Sequence, residues 1–273
     1  MKLNRIIIPS FDAHNQANPN LTLIHGWGAE SRVWEVWATE AFSKSYTLTL
    51  IDLPGFGDSP AQPNSPTLEA NWIKALVAAM PDKTHLLGWS LGGLLAQKIA
   101  LQHPERVTCL ICLASTPRFT QNDGWTHSVS PKIINDFIKA IGLEISGVLK
   151  KFWRLQLQGA DDSRALMKAL TKHMSSRKIP SIVPLNQGLI LLKDMDNRDQ
   201  IKHLAMPTLW LLGERDPLIP QDIRLNLAEL QPHAQIDILT GGSHIPFFSH
   251  PKDTAEHIQK FLNQVDPQPH AKL

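Results

Sequence analysis

Through its first 114 residues the sequence alternates short apolar runs with segments of helical period. The runs at 21–24, 47–53, 84–88 and 107–114 read as strands. Between them, 33–42, 68–80 and 91–103 read as helices; in the last, Leu91, Leu94, Leu95 and Ile99 recur at helical spacing. Strands separated by helices cannot pair as hairpins. Each must cross over, and right-handed crossovers set the strands parallel with helices on both faces. The spacing therefore predicts an α/β chain with a mostly parallel sheet. After Ser115 the rhythm breaks: 118–205 reads as helical, with Ile133, Ile134, Phe137, Ile138 and Ile141 forming one apolar stripe. Strand runs return at 208–212 and 235–239, with helices near 222–230 and 253–265. The expected organisation is a core of 1–117 and 206–265, interrupted by a helical cap at 118–205, with a flexible tail at 266–273.

The chain of 273 residues is 42% hydrophobic, enough for a sizeable core, and its formal charge of +2 argues against a nucleic-acid binder. Its two cysteines, Cys109 and Cys112, have a CxxC spacing, but no second pair or neighbouring histidine supports a metal. Lying in an apolar strand, they read as buried thiols, which fits a reducing compartment. The apolar run at 6–8 is too short for a signal-peptide core. No stretch approaches the roughly 18 apolar residues of a membrane span. The expectation is a soluble, cytoplasmic monomer.

The sequence GWSLG at 88–92 matches G-x-S-x-G between a strand and a helix. In that context the serine sits on a sharp turn, and the glycines two residues either side make room where a side chain would collide. Ser90 is thus the expected nucleophile, and a hydroxyl needs a base to take its proton. Of 12 histidines, His244 lies in GGSH just after the last strand run, on the end of the sheet where Ser90 emerges. His14, His127, His173, His233, His257 and His270 read as surface positions, and His103 as a helix end. The acid that orients the base should follow an earlier strand. Asp216 in LLGERDP fits, with Glu214 as competitor; Pro217 ends the turn and favours Asp216. The loop HGWG at 25–28 can supply the Trp27 N–H, which with that of Leu91 would form an oxyanion hole. His25, at a strand end, reads as making a structural hydrogen bond rather than serving as a second base. No metal motif and no G-x-G-x-x-G after the first strand are present, so neither a metal nor a nucleotide cofactor is expected.

With DLPGFGDS at 52–59, HPERV at 103–107 and HIPFFSHP at 244–251, these motifs resemble the α/β-hydrolases over most of the chain. Among them the chain most resembles the pimeloyl-[acyl-carrier protein] methyl ester carboxylesterases of biotin synthesis. FWRLQ at 152–156 is similar to a segment that lines the acyl chain in that family. The resemblance implies ester hydrolysis without a cofactor, and substrate contacts at Trp27, Ser90, Leu91, Phe152, Trp153, Arg154, Leu155, Gln156 and His244. It also implies an acyl carrier protein as partner; residues 118–146 and 175–199 carry no such match. Independently, residues 132–178 hold ten basic and four acidic side chains in a chain of net +2. Arg164, Lys168 and Lys172 recur on one helix face, and Lys151 with Arg154 forms a second pair. Together they suit an acidic partner, although a solvated helix face would look the same. A general short-chain carboxylesterase acting on small esters, a C–C bond hydrolase and a non-catalytic ligand receptor remain as alternatives.

Overall fold

The computed structural model describes residues 1–11, 18–175 and 177–266. His14, His270 and the expected tail beyond Asp266 lie outside them. In chain order the elements are β1 (Arg5–Ile8), β2 (Asn20–Ile24), α1 (Glu35–Phe42), β3 (Thr47–Ile51), α2 (Leu68–Ala79), β4 (Thr84–Trp89), α3 (Leu91–Gln102) and β5 (Val107–Leu113). There follow α4 (Pro131–Ile141), α5 (Ile145–Gln156), α6 (Ser163–Ser175) and α7 (Ile182–Asp194). The chain then returns through β6 (Thr208–Gly213), α8 (Ile223–Leu230), β7 (Gln235–Leu239), α9 (Pro246–Ser249) and α10 (Pro251–Val265).

The strands form one sheet in the order β1-β3-β2-β4-β5-β6-β7. Every pairing is parallel except that of β1 with β3. Each residue of β4 and β6 is buried, so both faces of the sheet's centre are covered. That explains why these strands read as unbroken apolar runs rather than alternating ones. The antiparallel edge strand β1 was not expected: four residues cut off by Pro9 give too short a pattern. Cys109 and Cys112 are free and buried, three positions apart on β5 and so on opposite faces of the sheet. Burial pushes both thiols far above their ordinary range, as for packed side chains rather than redox groups.

Two sequence expectations are corrected. The helix expected at 33–42 opens as a 3-10 turn over Ser31–Val33, and α1 starts only at Glu35. Residues 118–130, expected to be helical, are irregular with bridges Thr120–Val129 and Asn122–Trp125. Here backbone bonds across the loop, Gln121 N to Val129 O and Val129 N to Phe119 O (each 2.9 Å), together with side-chain bonds, stand in for a helix ladder. The Arg118 carbonyl accepts from Trp125 Nε1 and Ser128 Oγ, and the Arg118 guanidinium pairs with Asp196 at 2.9 Å.

No helix among the described residues is long and apolar enough to cross a membrane. Of the four helices between β5 and β6, α4, α5 and α7 line the space beside Ser90. On α4, Ile134 and Ile141 are buried, whereas Ile133 is 44% exposed. The loop after β2 is tied to this inserted segment by Glu30, whose Oε1 lies 3.4 Å from Arg177 Nε. Burial and the nearby Asp52 charge push the Glu30 carboxyl up to about 7, against the opposing pull of Arg177 and Arg32. A carboxyl that holds its proton more tightly when folded makes stability fall as pH rises from about 4.5 through about 7. Glu30→Gln should remove that dependence, worth up to about 3 kcal/mol. Urea unfolding of both proteins at pH 5 and pH 8 checks this; parallel losses of stability between the two pH values would contradict it.

Candidate active site

Ser90 stands between β4 and α3 with φ 54° and ψ −120°, a conformation in which an L-residue is strained. The turn is so tight that its glycines are obligatory. A Cβ on Gly88 would strike the backbone of Gly92 and Gly93, and one on Gly92 the backbone of Ile24 and His25. The strained peptide is braced by Ser90 N donating to Leu113 O (3.0 Å) and by Ser115 Oγ donating to Ser90 O (2.8 Å). The hydroxyl is thereby held above the sheet.

Three side chains from three loops converge there. His244 Nε2 lies 2.9 Å from Ser90 Oγ, and His244 Nδ1 lies 2.8 Å from Asp216 Oδ2. His244 and Asp216 have fully buried side chains. Asp216 Oδ1 accepts from the N–H groups of Leu218 (2.8 Å) and Ile219 (3.0 Å). Both carboxylate oxygens are therefore engaged, one organising its own loop and the other facing the imidazole. Glu214 points elsewhere and accepts from Gly241 N at 2.7 Å. His25 is buried and bonded at both ring nitrogens: Nε2 accepts from Leu53 N (3.0 Å), and Nδ1 faces the Gly26 carbonyl (2.8 Å). Burial lowers its pKa, so it stays neutral and holds two loops together. Asp52 does similar work, accepting from Ser31 N (2.7 Å), Asp58 N (3.0 Å) and Asn4 Nδ2 (2.7 Å).

The 25–28 loop packs directly on the serine: a Cβ built on Gly26 would lie 3.1 Å from Ser90 Cβ. Among the described residues the backbone N–H groups of Trp27 and Leu91 donate to no protein acceptor. For Leu91 this follows from its place in the first turn of α3, where N–H groups have no partner within the helix.

Ser90 opens into an apolar cavity lined by Phe119, Val129, Ile133, Ile134, Phe137, Phe152, Leu155, Leu189, Leu192 and Leu218. Among the described residues no charged side chain lines it, and its volume is about 30 Å³. Of the expected contacts on α5, Phe152 and Leu155 line this cavity. Trp153 and Gln156 do not; they face a smaller space shared with Trp27, Trp89 and Ile245. Arg154 lies outside, exposed. The reason is helical geometry: positions three apart share a face, so 152 with 155 and 153 with 156 look in different directions. Phe119, Val129, Leu189, Leu192 and Leu218 escaped the sequence reading because single apolar residues in unmatched segments carry no positional signal. The α4 stripe, with Phe137 in it, was the one available hint.

Outside, Lys151, Arg154 and Arg164 line a groove between α5 and α6, together with Leu155 and Met167. Lys150, Lys168 and Lys172 line its continuation. Leu155 borders both the groove and the Ser90 cavity. No cluster of three potential metal ligands occurs among the described residues.

A serine on a strained strand-to-helix turn thus meets a histidine and an aspartate from later loops. Residues 19–251 match the family described as the alpha/beta hydrolase fold. The chain belongs to the α/β-hydrolase family. This hydrolase is 36% identical over 245 residues to the pimeloyl-[acyl-carrier protein] methyl ester esterase of Aeromonas hydrophila, covering 89% of this chain and 95% of that one. The protein of the same name from Aeromonas salmonicida is equally similar in identity and coverage. Among solved structures, an esterase from Exiguobacterium antarcticum superposes with a TM-score of 0.82 at 20% identity, covering 96% of this hydrolase and 95% of the other. The enol-lactonase from Burkholderia xenovorans gives 0.81 at 17%, covering 96% of each. These structural likenesses concern the fold; the esterase relatives bear on the chemistry.

Proposed function

We propose that this hydrolase is a serine carboxylesterase that cleaves the methyl ester of pimeloyl-acyl carrier protein. The observation that carries the reading is the hydrogen-bonded series Asp216–His244–Ser90 opening into an uncharged cavity. The similarity to esterases of that name across most of the chain supports the substrate. In the proposed reaction His244 Nε2 takes the Ser90 hydroxyl proton as Oγ bonds to the ester carbonyl carbon. The resulting oxyanion is received by the N–H groups of Trp27 and Leu91, and Asp216 stabilises the imidazolium. His244 then passes the proton to the departing methoxy oxygen, releasing methanol and leaving an acyl-enzyme. Water, deprotonated by His244, attacks the acyl carbon and frees the carboxylate together with Ser90. An uncharged lining suits a neutral ester and its alkyl chain, and disfavours the anionic product.

A free volume of about 30 Å³ holds a water or two, not an acyl chain. Residues 118–205 therefore act as a cap whose side chains must part for the substrate. The carrier stays outside, on the basic groove formed by Lys151, Arg154, Arg164, Lys168 and Lys172, with its acyl chain passing Leu155. A cytoplasmic location fits the two free thiols.

The test compares carrier-bound and free methyl pimelate. The double variant Arg164→Glu/Lys168→Glu should lower kcat/KM on the carrier-bound ester by at least about 10-fold at low salt, with the loss shrinking as salt rises. Turnover of the free ester should change much less. Equal losses on both substrates, or none on either, would remove the carrier from the proposal.

A further inference from the structure

The ring of His244 is held by Asp216 and Ser90, but its backbone N–H and C=O are held by two groups from outside its own loop. Its N–H donates to the Gln156 carbonyl at 3.1 Å, and its C=O accepts from the Trp89 indole Nε1–H at 2.7 Å. Trp89 is the last residue of β4, next to Ser90 in the chain. Gln156 is the last residue of α5, in the inserted segment. The strand that presents the nucleophile therefore also anchors the His244–Ile245 peptide, and the insertion holds the Ser243–His244 peptide before it.

The G-x-S-x-G turn does not itself need tryptophan at its second position, since any side chain that fills the space would serve the packing. The Trp89 ring stacks edge-on against Phe247 (5.1 Å between centroids) and Trp34 (6.1 Å), contacts a phenyl ring could largely reproduce. What the indole adds is a donor. His244 is fully buried, so its carbonyl would be left without that partner, a costly state that the loop could relieve by rotating its peptide. Such a rotation carries the imidazole with it, and catalytic geometry tolerates only about 0.5 Å of displacement.

We propose that Trp89 is a positioning residue, whose indole N–H fixes the His244–Ile245 peptide so that Nε2 stays within reach of Ser90 Oγ. The Gln156 carbonyl braces the preceding Ser243–His244 peptide and makes the placement of His244 depend on the inserted helices. The inference rests on the reading of His244 as the base in the proposed function.

The test uses the full-length protein with p-nitrophenyl butyrate, comparing Trp89→Phe with Trp34→Phe. Trp34 belongs to the same aromatic cluster, is equally buried, and its indole nitrogen has no hydrogen-bond partner among the described residues. Trp89→Phe should lower kcat by about 10- to 100-fold with KM within about twofold, as expected when a base is misplaced. Trp34→Phe should keep kcat within about twofold. The downfield proton resonance of the His244–Asp216 hydrogen bond should shift or broaden in the first variant only. If Trp89→Phe does not fold, 3-benzothienylalanine at position 89 keeps the bicyclic shape without the N–H and should show the same loss of kcat. Equal losses in the two tryptophan variants, or wild-type kcat without the position-89 donor, would overturn the proposal. His244→Ala separates the two readings. If it leaves turnover intact, the base assignment has failed. If it abolishes turnover while the position-89 variants stay at wild-type rate, only the positioning role has.

Discussion

Ser90→Ala is expected to lower kcat on p-nitrophenyl butyrate by about 10⁶-fold, the size of effect seen when a triad nucleophile is removed elsewhere. The physical reason is that no other side chain could take its place. The cavity onto which Ser90 opens is otherwise lined by aliphatic and phenyl side chains, with no second hydroxyl, thiol or carboxylate at its wall. Removing one oxygen should also leave the fold nearly untouched. The strained turn is held by the Ser90 backbone, through Leu113 O and Ser115 Oγ, and not by its side chain. The measurement is stopped-flow release of p-nitrophenolate together with mass spectrometry of the quenched enzyme. The variant should show no burst and no acyl adduct while its unfolding transition stays near that of the wild type. A persistent burst would remove Ser90 from the mechanism.

Asp216→Asn should lower kcat by about 10⁴-fold although it alters only one functional group. The loop dictates how the amide must sit. Oδ1 accepts from the N–H groups of Leu218 and Ile219, so an asparagine keeps its oxygen there and turns its NH₂ toward His244 Nδ1. The imidazole then has to accept at Nδ1 and carry its proton on Nε2, facing Ser90 with a donor where an acceptor is required. The imidazolium that would form on proton transfer also loses its counter-charge. Glu214→Gln is the internal control, because Glu214 holds only the Gly241 N–H and should lose less than about tenfold. Steady-state kinetics on the three proteins decide the matter. Similar losses for the two acidic positions, or a loss below tenfold for Asp216→Asn, would argue against the orienting role.

The parts of this protein legible in the sequence are those governed by local pattern. Fully buried strands such as β4 and β6 announce themselves as unbroken apolar runs. The geometry around Ser90 demands glycine at 88 and 92, because any Cβ there meets backbone. β1 is not legible because four residues before a proline hold too little periodicity, and 118–130 because cross-loop backbone bonds and side-chain bonds to the Arg118 carbonyl stand in for a helix ladder. The choice between Asp216 and Glu214 turned on loop direction, which two residues of spacing express only weakly. Convergence could not be read either. Phe119, Leu189 and Leu218 meet at one cavity from three distant segments, and the faces of α5 that carry Phe152 and Trp153 are told apart only by what packs against them.

By itself, then, the sequence determined the parallel α/β architecture, the serine at its strained turn and the loops that could serve it, since hydrophobic period and steric exclusion act over a few residues. Tertiary structure alone decided which acid faces His244, which cap side chains wall the cavity and what grips the histidine's peptide. Those are questions of direction between segments as far apart as Trp89 and His244, separated by 155 positions. Only the packed chain supplies that direction.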